Sequence, residues 1–193
     1  MMRIITGKAR GIKLRTLEGD TTRPTAERTK EAVFSMLQFE IEGKRVLDAF
    51  AGSGQLGLEA LSRGASYALF VDKNRAAVEV IKKNIEITRM GDCSAAVCSE
   101  LDSQLEKMAG GKGFDIVFLD PPYKSDLINQ ALCTLLRCKL LNKNATVVCE
   151  SGSPIEVDGD NECLSDNFTV SKSAKYGIAY VTILKLKDKE SEQ

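Results

Sequence analysis

The stretch Val46–Leu61, VLDAFAGSGQLGLEAL, constrains this chain most. Arg45–Asp48 reads as a short buried strand. Gly52, Gly54 and Gly57 follow, and then a helical run to Arg63. A strand, a glycine-rich turn and a helix form the first unit of a doubly wound α/β sheet. Glycines there permit a tight turn and close approach of backbone to a ligand. GSGQLG matches the GxGxxG pattern, which two cofactor classes share. In a dinucleotide enzyme the loop cradles a pyrophosphate at a helix N-terminus. In an S-adenosylmethionine (SAM) enzyme it faces the methionine and ribose portion. Asp48 favours SAM, because a carboxylate at the strand end meets an ammonium but repels a pyrophosphate. The plainer reading of Asp48 is a loop carboxylate that bonds backbone N–H groups. Ala49 and Lys73 adjoin the expected pocket. Asp72 ends the second strand, 20 residues beyond Gly52. An acid at that place accepts bonds from ribose hydroxyls in either cofactor class, or simply starts the next helix.

Phe114–Leu119, FDIVFL, is a near-continuous apolar strand, as expected in the middle of a parallel sheet. It runs into Asp120-Pro121-Pro122-Tyr123. Ligands of open α/β sheets sit beyond the carboxyl ends of the strands, so DPPY is expected beside the glycine loop. An exocyclic amine on a base is a poor nucleophile, because its lone pair is delocalised into the ring. Two acceptors that bond both amine hydrogens hold it and favour a pyramidal nitrogen. Asp120 supplies one acceptor and the Pro121 carbonyl the other. The prolines restrict φ and keep the loop ordered, and Tyr123 offers a face on which a base stacks. Catalysis is then mainly positioning. The plainer reading of DPPY is an ordinary strand-ending turn.

No apolar run in the 193 residues approaches the ~20 needed to span a bilayer. Met1–Leu14 is basic and polar, unlike a signal peptide, so a cytoplasmic location is expected. The six cysteines form no C-x-x-C, and histidine is absent. No metal is expected, and the cysteines are expected to be mostly reduced and buried. Without histidine, a general base must be a carboxylate, Tyr, Lys or solvent. Net charge is zero, but residues 1–30 hold eight Lys/Arg against three acids. Such a basic region suits phosphate contact, or is only a solvated face.

Arg3–Thr6 and Ile12–Thr16 are strand candidates around Gly7 and Gly11, so a hairpin is predicted over residues 1–21. A helix follows over about Ala26–Phe39, with Thr25 as N-cap and Val33, Met36 and Leu37 facing the core. Gly64 ends the helix after the loop and Asn74 starts the next. Strands are expected at Tyr67–Val71, Ser94–Val97 and Ala145–Cys149, the last ending at Glu150. Glu100 follows the third strand, where an acid or backbone amide meets adenine in SAM enzymes. Ser125 is a cap for a helix buried through Ile128, Leu132, Leu135 and Leu136. Ser151–Asn167 reads as a loop or irregular crossover. Phe168–Lys172 and Ile178–Leu186 read as an antiparallel pair about Gly177. Lys187–Gln193 is expected to be a disordered tail beyond a single domain at 22–186.

DPPY resembles the motif of amino-methyltransferases acting on exocyclic nitrogens of bases. The chain as a whole, over roughly residues 3–186, is similar to the bacterial 16S rRNA guanine-N2 methyltransferase family (RsmD). The likeness rests on ITGKARGIKL (Ile5–Leu14), TRPTAERTKEAVFSML (Thr22–Leu37), LDAFAGSGQLGLEALSRGA (Leu47–Ala65), DPPY and KYGIAYVTIL (Lys175–Leu184). It implies a Rossmann-like α/β methyltransferase sheet, mostly parallel with an antiparallel C-terminal strand, and a small basic hairpin in front. It implies transfer of methyl from SAM to a guanine N2 of 16S rRNA, at nucleotide 966. Asp48, Ala49, Gly52, Gly54, Gly57, Asp72, Lys73 and Glu100 would hold the cofactor. Asp120, Pro121, Pro122 and Tyr123 would hold the target base, and Lys8, Arg10, Lys13, Arg15, Arg23 and Arg28 the RNA. The substrate would be the small ribosomal subunit or an assembly intermediate, and the enzyme a monomer. Three other readings stay open: a DNA or RNA adenine-N6 methyltransferase, an NAD-dependent oxidoreductase, and a non-catalytic RNA-binding assembly factor.

Overall fold

The computed structural model describes residues 2–17, 24–122, 126–157 and 162–187. The continuous apolar runs form a parallel core sheet, β1 (Arg45–Asp48), β2 (Tyr67–Asp72), β3 (Ser94–Cys98), β4 (Phe114–Leu119) and β5 (Leu141–Ser151). The hairpin β6 (Phe168–Tyr176) and β7 (Ala179–Leu186) completes it in antiparallel sense. Strand order is β3-β2-β1-β4-β5-β7-β6. The chain winds outward from β1 in one direction and from β4 in the other. The crevice between their carboxyl ends is therefore the topological switch point, where such sheets bind ligands.

Helices cover both faces. On one lie α1 (Pro24–Met36), α2 (Gln55–Ser62) and α3 (Arg75–Thr88), packed through Phe34, Leu58 and Ile81 on Val46, Phe70 and Phe118. On the other lie α4 (Leu101–Lys107), α5 (Asp126–Arg137) and the short α6 (Glu162–Ser165), packed on Leu47, Val117 and Val147. Each central strand thus buries both its faces, which explains the unbroken hydrophobic runs. Removing a large fully buried ring such as Phe118 should cost about 3–5 kcal/mol. Among the described residues, no helix is long and apolar enough to cross a membrane.

The Asn74 side chain accepts from the Ala76 N–H, capping α3 as expected. Gly64, at φ 101, follows α2 as expected of a helix-ending glycine. Several boundaries differ from expectation. Helix α1 starts at Pro24, so Thr25 lies in its first turn rather than at the cap. Proline's fixed φ and missing N–H suit the first helical position. The helix stops at Met36, and Phe39 stands 92% exposed beyond it. Strand β5 begins four residues early because Leu141 pairs with Phe114 before a register shift, with Asn144 at φ 60. The crossover before β6 contains α6, anchored by buried Leu164. Ser125 and residues 188–193 lie outside the described residues.

The predicted N-terminal hairpin forms as a short antiparallel pairing: Arg3 bridges Lys13, Ile4 N–H bonds the Ile12 carbonyl and Leu14 N–H the Met2 carbonyl. Gly7 (φ 86) and Gly11 (φ 83) bend the chain. The N–H groups of Ile5, Thr6, Lys8 and Ala9 bond α2. Ile5 and Thr6 N–H donate to the Glu59 carboxylate at 2.7 and 3.0 Å. Lys8 N–H bonds the Ser62 carbonyl and Ala9 N–H the Ser62 hydroxyl. The approach is so close that a Cβ on Gly7 would fall 1.8 Å from the Ser62 carbonyl oxygen. The cysteines are mostly free, as expected, but only two of the free ones are buried. Cys133 on α5 and Cys163 on α6 form a disulfide, Cα–Cα 6.1 Å. Cys138 and Cys149 are buried, Cys93 is half-buried and Cys98 is exposed.

Candidate active site

The turn after β1 is held by its own backbone. Asp48, 3% exposed, accepts the Gly57 N–H at 2.9 Å. Asp72 accepts the Gly52 N–H through one oxygen and the Asn74 N–H through the other, both at 2.8 Å. Ala49 N–H bonds the Phe118 carbonyl, Ala51 N–H the Val71 carbonyl, and Gly54 N–H the Ala51 carbonyl. Gly54 is left-handed at φ 76. A Cβ on Gly57 would meet the Phe70 ring at 2.3 Å, so this glycine lets α2 lie against β2. Gly54 and Gly57 shape the turn from behind.

A cleft of about 480 Å³ opens in front of this turn, a size ordinary for small-molecule sites. Of the predicted cofactor residues, Asp48, Ala49, Gly52, Asp72, Lys73 and Glu100 line it. Asp120 and Pro122 line it from the β4 side. Pro121 is buried beside them, and Tyr123 lies outside the described residues. Lys73 and Glu100 face each other at 3.7 Å, both 69% exposed, so their pairing adds little stability. The sequence did not single out Met2, Ser99 and Leu101, which also line the cleft. Ser99 N–H bonds the Asp72 carbonyl, continuing the β2–β3 ladder past its end; a ladder's continuation leaves no mark in composition.

The strand registers place four acids on one face of the carboxyl edge. Asp48 aligns with Phe70 and Phe118, two residues before Asp72 and Asp120. Leu119 aligns with Cys149, so Asp120 and Glu150 follow as neighbours on β4 and β5. Burial pushes the Asp48 carboxyl up to about 7, with Asp72 adding to the rise and the Gly57 N–H opposing it. Asp120 keeps an accessible surface at the cleft mouth, while protein atoms crowd closely around its carboxyl. Burial raises its carboxyl above the usual range, and the charges of Glu150 and Asp48 raise it further. Burial raises Glu150 as well. A cationic ligand, or one rich in N–H donors, would relieve this concentration of charge; an anionic one would aggravate it.

That electrostatic balance separates the two cofactor classes. The N–H groups of Ala51, Gly52, Gly54 and Gly57 are already bonded within the protein, and two carboxylates flank them. A pyrophosphate would meet those carboxylates where the glycine amides of the turn are already committed. The buried Asp48 carboxylate suits an ammonium, and Asp72 suits the hydroxyls of a ribose.

The basic residues divide. Lys8, Arg10, Lys13, Arg15 and Arg28 are exposed, and Arg23 lies outside the described residues. Lys30, grouped with them by sequence, is instead 2% exposed. Its ammonium donates to the Arg3 carbonyl at 2.6 Å and sits 3.6 Å from Glu59. Burial lowers its pKa, and Glu59 opposes that shift. The amino-terminal segment also reaches the site. Met2 lines the cleft, with its sulfur accepting the Ser53 hydroxyl. Asn84 links Arg15 to the Ser53 carbonyl, bonding the Arg15 N–H at 2.8 Å and its carbonyl at 3.0 Å.

The family model described as "Conserved hypothetical protein 95" matches residues 2–185. The chain belongs to this family. A relative in Haemophilus influenzae, named ribosomal RNA small subunit methyltransferase D, is 35% identical over 92% of this chain and 90% of its own length. The solved structure of yhhF from Escherichia coli is 31% identical and superposes with a TM-score of 0.83 over 97% of this chain and 99% of that one. The structure of SMU.776, complexed with SAH, shares the fold at 13% identity, with a TM-score of 0.62 over 80% of this chain and 48% of that one. The family's Rossmann-like methyltransferase architecture, mostly parallel with an antiparallel carboxyl-terminal strand, is thus the fold of this chain.

Proposed function

We propose that this protein is a SAM-dependent rRNA methyltransferase that modifies the exocyclic N2 of a guanine in 16S rRNA, the guanine at position 966. The observation that carries the reading is the meeting of two features in one cleft. One is a glycine turn whose glycine amides are already bonded and whose flanks are acidic. The other is the Asp120-Pro121-Pro122 segment at the end of β4. Kinship with proteins named for small-subunit rRNA methylation supplies the substrate class.

Asp48 would hold the amino group of SAM and Asp72 its ribose, with Lys73 and Glu100 at the outer rim. The cofactor bound there supplies an electrophilic methyl group. Asp120 and the Pro121 carbonyl accept the two amine hydrogens of the target and hold its lone pair towards that methyl group. Tyr123 stacks the base, which must leave its RNA stack to enter the cleft. Positioning of this kind is where the rate gain arises. The raised basicity of Asp120 fits it to take the proton that the amine sheds. Lys8, Arg10, Lys13, Arg15, Arg23 and Arg28 contact RNA phosphates. The substrate is the small ribosomal subunit or an assembly intermediate.

The test is transfer of labelled methyl into small subunits from cells lacking this modification, with digestion to nucleosides. N2-methylguanosine is the expected product. N6-methyladenosine would replace the guanine reading with an adenine one, and no incorporation into subunits, free rRNA or DNA would discard catalysis. Asp120→Ala should abolish transfer and leave SAH binding within about threefold of wild type; unchanged turnover would remove the clamp.

A further inference from the structure

We infer that Glu150 reads the guanine, its carboxylate accepting the N1–H of the base whose N2 amine is held by Asp120. The inference rests on the methyltransferase reading above and adds to it a residue that chooses among bases. Glu150 follows the buried run Ala145–Cys149 as Asp120 follows Phe114–Leu119, and the two are neighbours across the β4–β5 ladder. Between them and α1 lies a recess of about 50 Å³. Gln55, Leu56 and Asp120 line both this recess and the larger cleft, so the recess is a side pocket of the same site. Its volume admits the edge of a base, not a whole one. Lys30 is the one cation lining it among the described residues, and it is committed to Glu59 and the Arg3 carbonyl. No hydrogen bond or ion pair reaches the Glu150 or Asp120 carboxylates from the described residues.

Two adjacent acceptors without protein donors match one pattern of base edge. Guanine carries N1–H beside its N2 amine, so donors stand next to each other. Adenine carries the N1 lone pair beside its N6 amine, and cytosine the N3 lone pair beside its N4 amine. A carboxylate next to the amine clamp therefore bonds guanine and repels the other two. A site built to bond an N–H rejects an analogue lacking it, because the buried acceptor is left unpaired.

The experiment compares RNA bearing guanine or 2-aminopurine at the target position. The second base keeps the N2 amine but replaces N1–H with a lone pair. Wild-type protein should prefer guanine in kcat/KM by about 10- to 100-fold, the discrimination of a good base-edge contact. Glu150→Gln offers an amide N–H to that lone pair and should bring the ratio near one or invert it, with SAH binding unchanged as the folding control. A wild-type ratio retained in Glu150→Gln, or a wild-type protein indifferent to the two bases, overturns the assignment of Glu150. Absence of transfer from wild-type protein to guanine overturns the underlying methyltransferase reading, and this inference with it. If Glu150→Gln does not fold, Glu150→Asp, which retracts the acceptor, should lower turnover on guanine and spare 2-aminopurine; equal loss on both would count against the proposal.

Discussion

At the residue scale the clearest consequence lies in Asp48. Its folded pKa of about 7 stands above the ordinary 3.8. The folded state therefore binds its proton more tightly than the unfolded state. The associated stability is present below pH 4 and is lost as pH rises towards 7, by roughly 4 kcal/mol. Asp48→Asn keeps an oxygen for the Gly57 N–H and removes the buried charge. It should raise the melting temperature of the ligand-free protein at pH 8, not at pH 4, while weakening SAH binding at least tenfold. Such an opposition marks a functional carboxylate rather than a structural one. In wild type, SAH affinity should increase between pH 6 and 8 in isothermal titration, with proton release, because the ammonium requires the ionised form. Transfer should follow the same sign, since Asp120 holds the amine as a carboxylate and its pKa is also raised. Asp48 and Asp120 were readable from sequence because each ends an apolar strand inside a distinctive motif. Glu150 follows a buried apolar run much as they do, but its neighbours form no motif. Lys30 looked like one more cation in a basic stretch. Only the docking of α1 against α2 brings Glu59 to it.

At the element scale the amino-terminal segment behaves as part of the core, with Ile4, Ala9 and Leu14 buried. Its anchor is Glu59, fully buried, which bonds the Ile5 and Thr6 amides and the Arg63 guanidinium and faces Lys30. Glu59→Ala leaves a buried ammonium without its partner and should cost about 3–5 kcal/mol in denaturant unfolding. Trypsin should then cut at Lys8 or Arg10 well before the rest of the chain, and persistent protection of those sites would contradict the anchoring role. Parallel strands were legible because burial on both faces writes an unbroken hydrophobic run. The docking of the amino-terminal hairpin was hidden for the converse reason. Strand-like residues around two glycines predict the cross-strand pairing that forms, but not that the Ile5, Thr6 and Ala9 donors bond a helix more than fifty residues away. The early start of β5 was hidden by polar Asn142, Lys143 and Asn144, and α6 by its four-residue length.

At the scale of the whole molecule, the winding order brings the ends of β1, β2, β4 and β5 together, so acids far apart in sequence become one charged edge. So many gathered carboxyls repel one another, and a ligand that brings a cation and N–H donors to them should stabilise the fold strongly. Binding stabilises the native state in proportion to the logarithm of ligand excess, about 2.7 kcal/mol at a hundredfold over Kd. For a chain of this size each kcal/mol moves the melting temperature by about 2–4 °C, so saturating SAH should raise it by roughly 5–11 °C. NADH should leave it within about 1 °C, because its pyrophosphate would meet Asp48 and Asp72 where the Gly52 and Gly57 amides are already bonded to those carboxylates. The two ligands share adenosine, so the difference isolates what lies beyond the ribose. A large shift with NADH would mean that the loop amides release their partners on binding, and would return the dinucleotide reading. Equal shifts with SAH and adenosine would deny the ammonium contact at Asp48. A large shift with SAH that disappears in Asp48→Asn ties the acidic edge, rather than the adenine subsite alone, to cofactor choice.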